Sequence, residues 1–166
     1  MNRLQQLVDL PNAAFETSFN NQPDHQNTAN HQTTAHSVFV PLHYEPNYAY
    51  PLLVWLHGPD DNENQLKKIM PLLSMKNYVG VAPRGTWAPQ RDDAASGRFA
   101  WSQDDEQVLL AQQRTLDCIE LAQQRFHIAS DHIFLAGYDC GGTMAVRLAM
   151  RHPKRFAGAI SVGGPF

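Results

Sequence analysis

Residues Ile133–Gly142 read I-F-L-A-G-Y-D-C-G-G, and this stretch constrains the fold more than any other. A short apolar run suited to a buried strand passes into Gly137-Tyr138-Asp139-Cys140-Gly141, and a helical pattern starts at once. A strand can turn into a helix this abruptly only if the residue at the tip takes a strained conformation. The residues two before and two after it must be small enough for the two backbones to pass closely. Gly137 and Gly141 meet that demand. The pattern is that of a nucleophile elbow, G-x-Nu-x-G, with Asp139 at its tip. The new helix directs N–H groups and partial positive charge toward position 139.

The rest of the chain supplies the elements such a turn needs. Residues 38–40, 52–56, 78–82, 132–136 and 157–162 read as strands, and Leu52-Leu53-Val54-Trp55-Leu56 is apolar throughout, as a strand covered on both faces must be. Helices are predicted from Glu63 to Met70 or Ser74, from Asp104 to His127, and from Cys140 to His152. Their inward faces are expected to be Leu66, Ile69, Met70 and Leu73, then Leu109, Leu116, Ile119 and Phe126, then Met144, Ala145, Leu148 and Ala149. Strands alternating with helices imply an α/β fold with a mainly parallel sheet. Residues 83–103 form a long loop carrying Trp87, Phe99 and Trp101.

Composition narrows the function classes. Hydrophobic residues make up 43% of the 166 and charged residues 17%, enough for a single packed core of ordinary size. A net charge of −3 offers no footprint for nucleic acid. No apolar run approaches the ~20 residues of a membrane span, and Gln5, Gln6 and Asp9 break up any secretory leader. The two cysteines, Cys118 and Cys140, fit a reducing compartment, so the expected location is cytoplasmic. Residues 1–35 are polar and are read as a mobile N-terminal arm, with 36–166 as the folded part. His25 and His31 lack convincing co-ligands, and neither a metal nor a cofactor is expected.

Further motifs carry a family resemblance. They are L-V-W-L-H-G at 53–58, V-A-P-R-G at 81–85, Phe99-Ala100-Trp101, the segment at 133–145, and L-A-M-R-H-P-K-R-F-A-G-A-I-S-V-G-G at 148–164. Together they resemble the α/β-hydrolase superfamily and, within it, the phospholipase/carboxylesterase-like group of small serine esterases. The resemblance implies an α/β-hydrolase-type three-layer sandwich, here incomplete with about five strands, and hydrolysis of carboxylic esters.

Three departures from that family matter. Asp139 stands where the family has serine. A carboxylate attacking an acyl carbon would give a mixed anhydride, whereas aspartate nucleophiles of the superfamily attack alkyl carbons. Pro59 stands at a position that, in the resembled esterases, donates an N–H to the oxyanion hole alongside residue 140, and proline has none. Finally, the family's acid and histidine follow strands beyond the one at 157–162, and no histidine follows His152. The expectation is a catalytically degenerate homologue, either a truncated product or a non-hydrolytic binding protein whose candidate ligand is a small ester-like molecule. The alternative is a hydrolase using Asp139 on an alkyl substrate, or one completed by a second chain. The strand at 157–162 is expected to form an exposed edge that promotes self-association.

Plainer readings stand beside the sharper ones. Asp139 is read foremost as a helix N-cap. Cys140 follows the tip and is expected to point away from the site; Cys118 is read as packing. His57 is expected to orient its loop by hydrogen bonds. Arg84, Trp87 and Trp101 are candidates for a substrate loop, although a salt bridge is the commoner fate of such an arginine. Asp60, Asp61, Asn62 and Glu63 read as helix-capping groups, with cation binding as the alternative. His127 and His132 are expected to flank a turn.

Overall fold

The computed structural model describes residues 35–88, 90 and 92–165. The arm expected at 1–35 therefore lies outside the described residues except for Ala35. The order of elements is β1 (His36–Phe39), β2 (Tyr50–Leu56), α1 (Gln65–Leu73), β3 (Val79–Pro83), α2 (Asp105–Arg125), β4 (Ile128–Tyr138), α3 (Cys140–Arg151) and β5 (Gly158–Val162). The strands form one sheet in the order β1-β3-β2-β4-β5. Only β1 runs antiparallel, with His36 opposite Pro83 and Phe39 opposite Gly80. The other pairings are parallel.

Strand β2 explains why the sheet is covered on both sides. Alternate side chains point to opposite faces. Leu52, Val54 and Leu56 join Val81, Ile133 and Leu135 in a cluster with α2 and α3. Leu53 and Trp55 join Phe39 and Ala136 in a second cluster with Leu66 and Met70 of α1. The result is a three-layer α/β sandwich, as the family resemblance implies, with the mainly parallel sheet that the strand–helix alternation predicts.

The helices correct several expectations. In α2 the buried stripe is Val108, Ala111, Thr115, Cys118, Ile119 and Ala122. Leu109, expected inside, is 53% exposed. A 21-residue helix drifts around its axis, so small residues close to the sheet displace the large ones predicted for that face. In α1, Leu66 and Met70 are buried but Leu73 is 56% exposed. Pro71 removes a helical hydrogen bond, and the helix ends two residues later, with the Ser74 N–H on the Met70 carbonyl. Strand β4 begins at Ile128, so His132 lies within a strand, contrary to the turn expected there. Asp104 caps α2 as its sequence suggests, accepting from the Gln107 N–H at 2.9 Å. Strand β5 lies at the sheet edge, with Ile160 and Val162 exposed.

The topology locates a crevice before any side chain is considered. The crossover from β2 carries α1 to one face of the sheet, and the crossover from β4 carries α3 to the other. Since β2 and β4 are neighbours, their carboxyl ends diverge at a topological switch point, where open α/β sheets bind ligands. The loops leaving that point begin at His57 and Asp139.

Candidate functional site

The β4–α3 turn holds Asp139 at φ 51° and ψ −122°, a region that strongly favours glycine. Its surroundings impose this conformation. The Asp139 N–H donates to the Val162 carbonyl at 2.9 Å, and the Thr143 N–H donates to the Asp139 carbonyl at 3.0 Å. A Cβ on Gly141 would lie 2.3 Å from the carbonyl oxygens of both Leu56 and His57. One on Gly137 would lie 2.5 Å from the Gly141 backbone. Both glycines are therefore required by close approach, as the sequence implies.

The N-cap reading of Asp139 does not survive. The residue occupies the cap position of α3, but its side chain makes no capping hydrogen bond. An N-cap residue normally has extended backbone, which aims its side chain back at the second or third helical N–H. The positive φ of Asp139 turns the carboxylate away from them. Strain of this kind costs about 1–3 kcal/mol, and no capping bond offsets it.

Across the crevice, His57 organises the β2–α1 loop. Its ring is fully buried. The Gly85 N–H donates to Nε2 at 2.9 Å, which places the ring proton on Nδ1, 2.7 Å from the Gly58 carbonyl. The indole N–H of Trp101 donates to the His57 carbonyl at 3.0 Å. Three segments of chain thus meet on one residue, and the expectation that His57 orients its loop holds.

Burial pushes the His57 imidazole below its ordinary value of 6.5, against the weaker opposing pull of the Gly58 carbonyl, Asp61 and Glu63. The folded state therefore holds His57 neutral. Its contribution to stability is complete above the ordinary value and is lost as pH falls below it toward the folded pKa. Unfolding free energy measured in urea is expected to drop as pH falls below 6.5. In His57→Gln that part of the profile is expected to flatten; an unchanged slope would assign it to other groups.

A cavity of about 520 Å³ opens between the two loops, with Pro59 and Cys140 both on its wall. The two positions singled out from sequence as oxyanion donors therefore meet at one cavity. Cys140 is half-buried on that wall. Burial pushes its thiol pKa up, so the sulfur is held as a thiol. Trp87 and Trp101 line the same cavity.

Arg84 does not line the cavity. It forms a two-point pair with Glu63, Nε to Oε2 at 2.8 Å and Nη2 to Oε1 at 2.6 Å, and its guanidinium lies 4.9 Å from the centre of the Phe99 ring. Glu63 is buried and accordingly does not cap α1, whose cap position is Asn64. Burial works against the Glu63 charge, but the Arg84 hydrogen bonds and charge, with a backbone hydrogen bond at Glu63, together outweigh it and hold the carboxyl below its ordinary range. The acidic run 60–63 shows no metal-binding cluster among the described residues.

Other residues of the site carried no recognisable signal in the sequence. The Gln65 side-chain Oε1 accepts from the Trp55 indole at 2.7 Å and from the Gly58 N–H at 3.2 Å. Asp93 is buried, pairs with Arg98 at 2.6 Å, and accepts from the Gln90 N–H at 2.9 Å. Asn62 donates to the Gly97 carbonyl at 2.7 Å, which ties the long loop to the β2–α1 loop. Each contact joins polar residues whose relation is created by the chain's reversals.

Comparison with known proteins agrees with this architecture. The family named Esterase, described as "Putative esterase", matches residues 27–166. The protein named "Putative esterase NocK" of Nocardia uniformis subsp. tsuyamanensis is 28% identical over 120 residues, covering 69% of this chain and 33% of that protein. The carboxylesterase of Bacillus cereus superposes with a TM-score of 0.60 at 17% identity, over 80% of this chain and 63% of that one. S-formylglutathione hydrolase (FrmB) of Staphylococcus aureus superposes with a TM-score of 0.57 at 17% identity, over 79% and 51%. The chain thus spans between a third and two thirds of the length of these proteins, and the two structural likenesses concern the fold.

Proposed function

This chain belongs to the Esterase family, and we propose that it is a carboxylesterase-like homologue that binds a small ester-like ligand without hydrolysing it through a serine acyl-enzyme. The observation that carries this reading is Asp139. The strained geometry of a nucleophile elbow is kept at φ 51°, while the residue at its tip is a carboxylate with no capping bond. Attack by that carboxylate on an ester carbonyl would produce a mixed anhydride.

The opposite wall supports the same reading. Pro59 has no N–H to offer an oxyanion, and the neighbouring Gly58 N–H is committed to Gln65. Loss of one oxyanion donor costs about 2.7–4 kcal/mol in the transition state, roughly a hundred- to thousandfold in rate. Among the described residues no histidine hydrogen-bonds the Asp139 carboxylate, and the His57 ring nitrogens are both engaged.

The purified chain is expected to hydrolyse p-nitrophenyl acetate and butyrate no faster than buffer. Asp139→Ser alone is expected to leave that unchanged, because neither a base nor the second donor returns with the serine. Turnover in Asp139→Ser at the rate of a working esterase would sink the reading. The uncapped carboxylate favours one second reading, attack on an alkyl carbon. There Asp139 would form an alkyl ester and expel a halide or open an epoxide. A mass increase on Asp139 after incubation with an alkyl bromide, absent in Asp139→Asn, would establish it.

A further inference from the structure

We propose that the cavity between the β2–α1 loop and the 84–101 loop binds a small organic ammonium cation. The proposal rests on the reading that the cavity serves binding, and it names the class of ligand. It follows from which groups on the wall are free and which are engaged.

Several hydrogen-bond donors around the cavity already have partners inside the protein. The Trp87 and Ala100 N–H groups donate to each other's carbonyls at 3.2 and 2.8 Å. The Gln90 N–H and the Arg98 guanidinium are both held by the buried Asp93 carboxylate. The Trp101 indole N–H is held by the His57 carbonyl, and Pro59 has no N–H.

One acceptor on the wall stands apart. Asp60 lines the cavity, is exposed, and has neither an ion pair nor a hydrogen bond among the described residues. Its backbone is in the left-handed region at φ 56°. Asp93 and Arg98 neutralise each other, so Asp60 leaves the described wall with one uncompensated negative charge. The remaining large exposed side chain is Trp87, 44% exposed, whereas Trp101 is buried. Indole faces attract cations through the ring quadrupole, and tryptophan does so best. Carboxylate and indole together favour an alkylammonium over a neutral molecule of the same shape. The volume of about 520 Å³ admits such a ligand.

The test compares choline with 3,3-dimethyl-1-butanol, its neutral counterpart in shape, by tryptophan fluorescence titration of the purified chain. Choline is expected to bind about tenfold more tightly, with an affinity that weakens as ionic strength rises. Asp60→Asn is expected to weaken choline binding about threefold or more and leave the alcohol unchanged. Asparagine tolerates the left-handed backbone, so this variant should fold. Trp87→Ala is expected to remove most of the preference and Trp87→Phe to keep part of it. Equal binding of the two probes, binding of neither, or a preference for acetate would each overturn the proposal. Those results leave the absence of ester turnover standing. Conversely, ester hydrolysis would overturn the functional reading while the cation preference is still read directly.

Discussion

Gly141→Ala is expected to abolish or severely weaken cooperative folding, although alanine is the better helix former. Helix propensity alone would favour the substitution by about 1 kcal/mol. The new Cβ, however, would lie 2.3 Å from the carbonyl oxygens of Leu56 and His57. Both are backbone atoms at the end of the central strand β2, so neither can rotate away. Overpacking usually costs about 1–3 kcal/mol where side chains can yield. A backbone clash belongs at or beyond the upper end, and the steric effect wins. The expected loss is about 3 kcal/mol or more, a large part of the ~5–15 kcal/mol that holds a typical domain together. Thermal unfolding should shift down by roughly 10 °C or more. Gly158→Ala in β5 is the control, because its Cβ would meet only Phe134 at 3.6 Å. A Gly141→Ala melt matching that of Gly158→Ala would show that α3 is not seated on β2 as described.

Arg84→Ala is expected to cost about 2–3 kcal/mol at neutral pH, with a distinctive dependence on acidity. Glu63 is the buried partner, its side chain 7% exposed, whereas the Arg84 side chain is 36% exposed. Removing the arginine leaves a buried carboxylate without its counter-charge, a change that costs about 3–5 kcal/mol in a fully buried pair. Partial exposure of Arg84 reduces that figure. In the native protein the Glu63 carboxyl is held below its ordinary value near 4.5, so the pair contributes above that value and the contribution disappears as pH falls through the folded pKa. In Arg84→Ala burial is the largest influence left, and it pushes the carboxyl up. The penalty is then largest at neutral pH and shrinks as Glu63 takes a proton. Urea unfolding from pH 7 to 4 should show the two curves converging. The double variant Arg84→Ala with Glu63→Gln should recover part of the loss at pH 7. A gap independent of pH, or a double variant weaker than the single one, would count against the pair as the source.

This pair also marks how far the sequence could be read. Leu52–Leu56 announces a strand covered on both faces, because no polar residue interrupts it. The glycines at 137 and 141 announce a close crossing of strand and helix, because spacing around a tight turn is a local property. The partnership of Arg84 with Glu63 is different. Twenty-one positions separate the two residues, and they meet because β2 and β3 lie side by side with α1 between them. Arg84 looked free to meet a substrate only while its neighbours across the fold were unknown. Leu109 went wrong for a related reason, since a helical period predicts a face but not how that face is rotated against the sheet.

Asp139 combines both cases. Its place at the tip of a sharp turn is written in the surrounding glycines, whereas the direction of its carboxylate depends on φ and ψ imposed by Val162 and Thr143. The local alphabet of this chain is therefore enough for strands, helices, the crossing glycines and the missing N–H at Pro59. Those properties depend on residues within a few positions of one another. The cavity, its engaged donors, the bare Asp60 and the neutral His57 depend on groups brought together from β2, β3 and β4. Their energies come from burial and from partners distant in sequence, and these exist once the chain has folded.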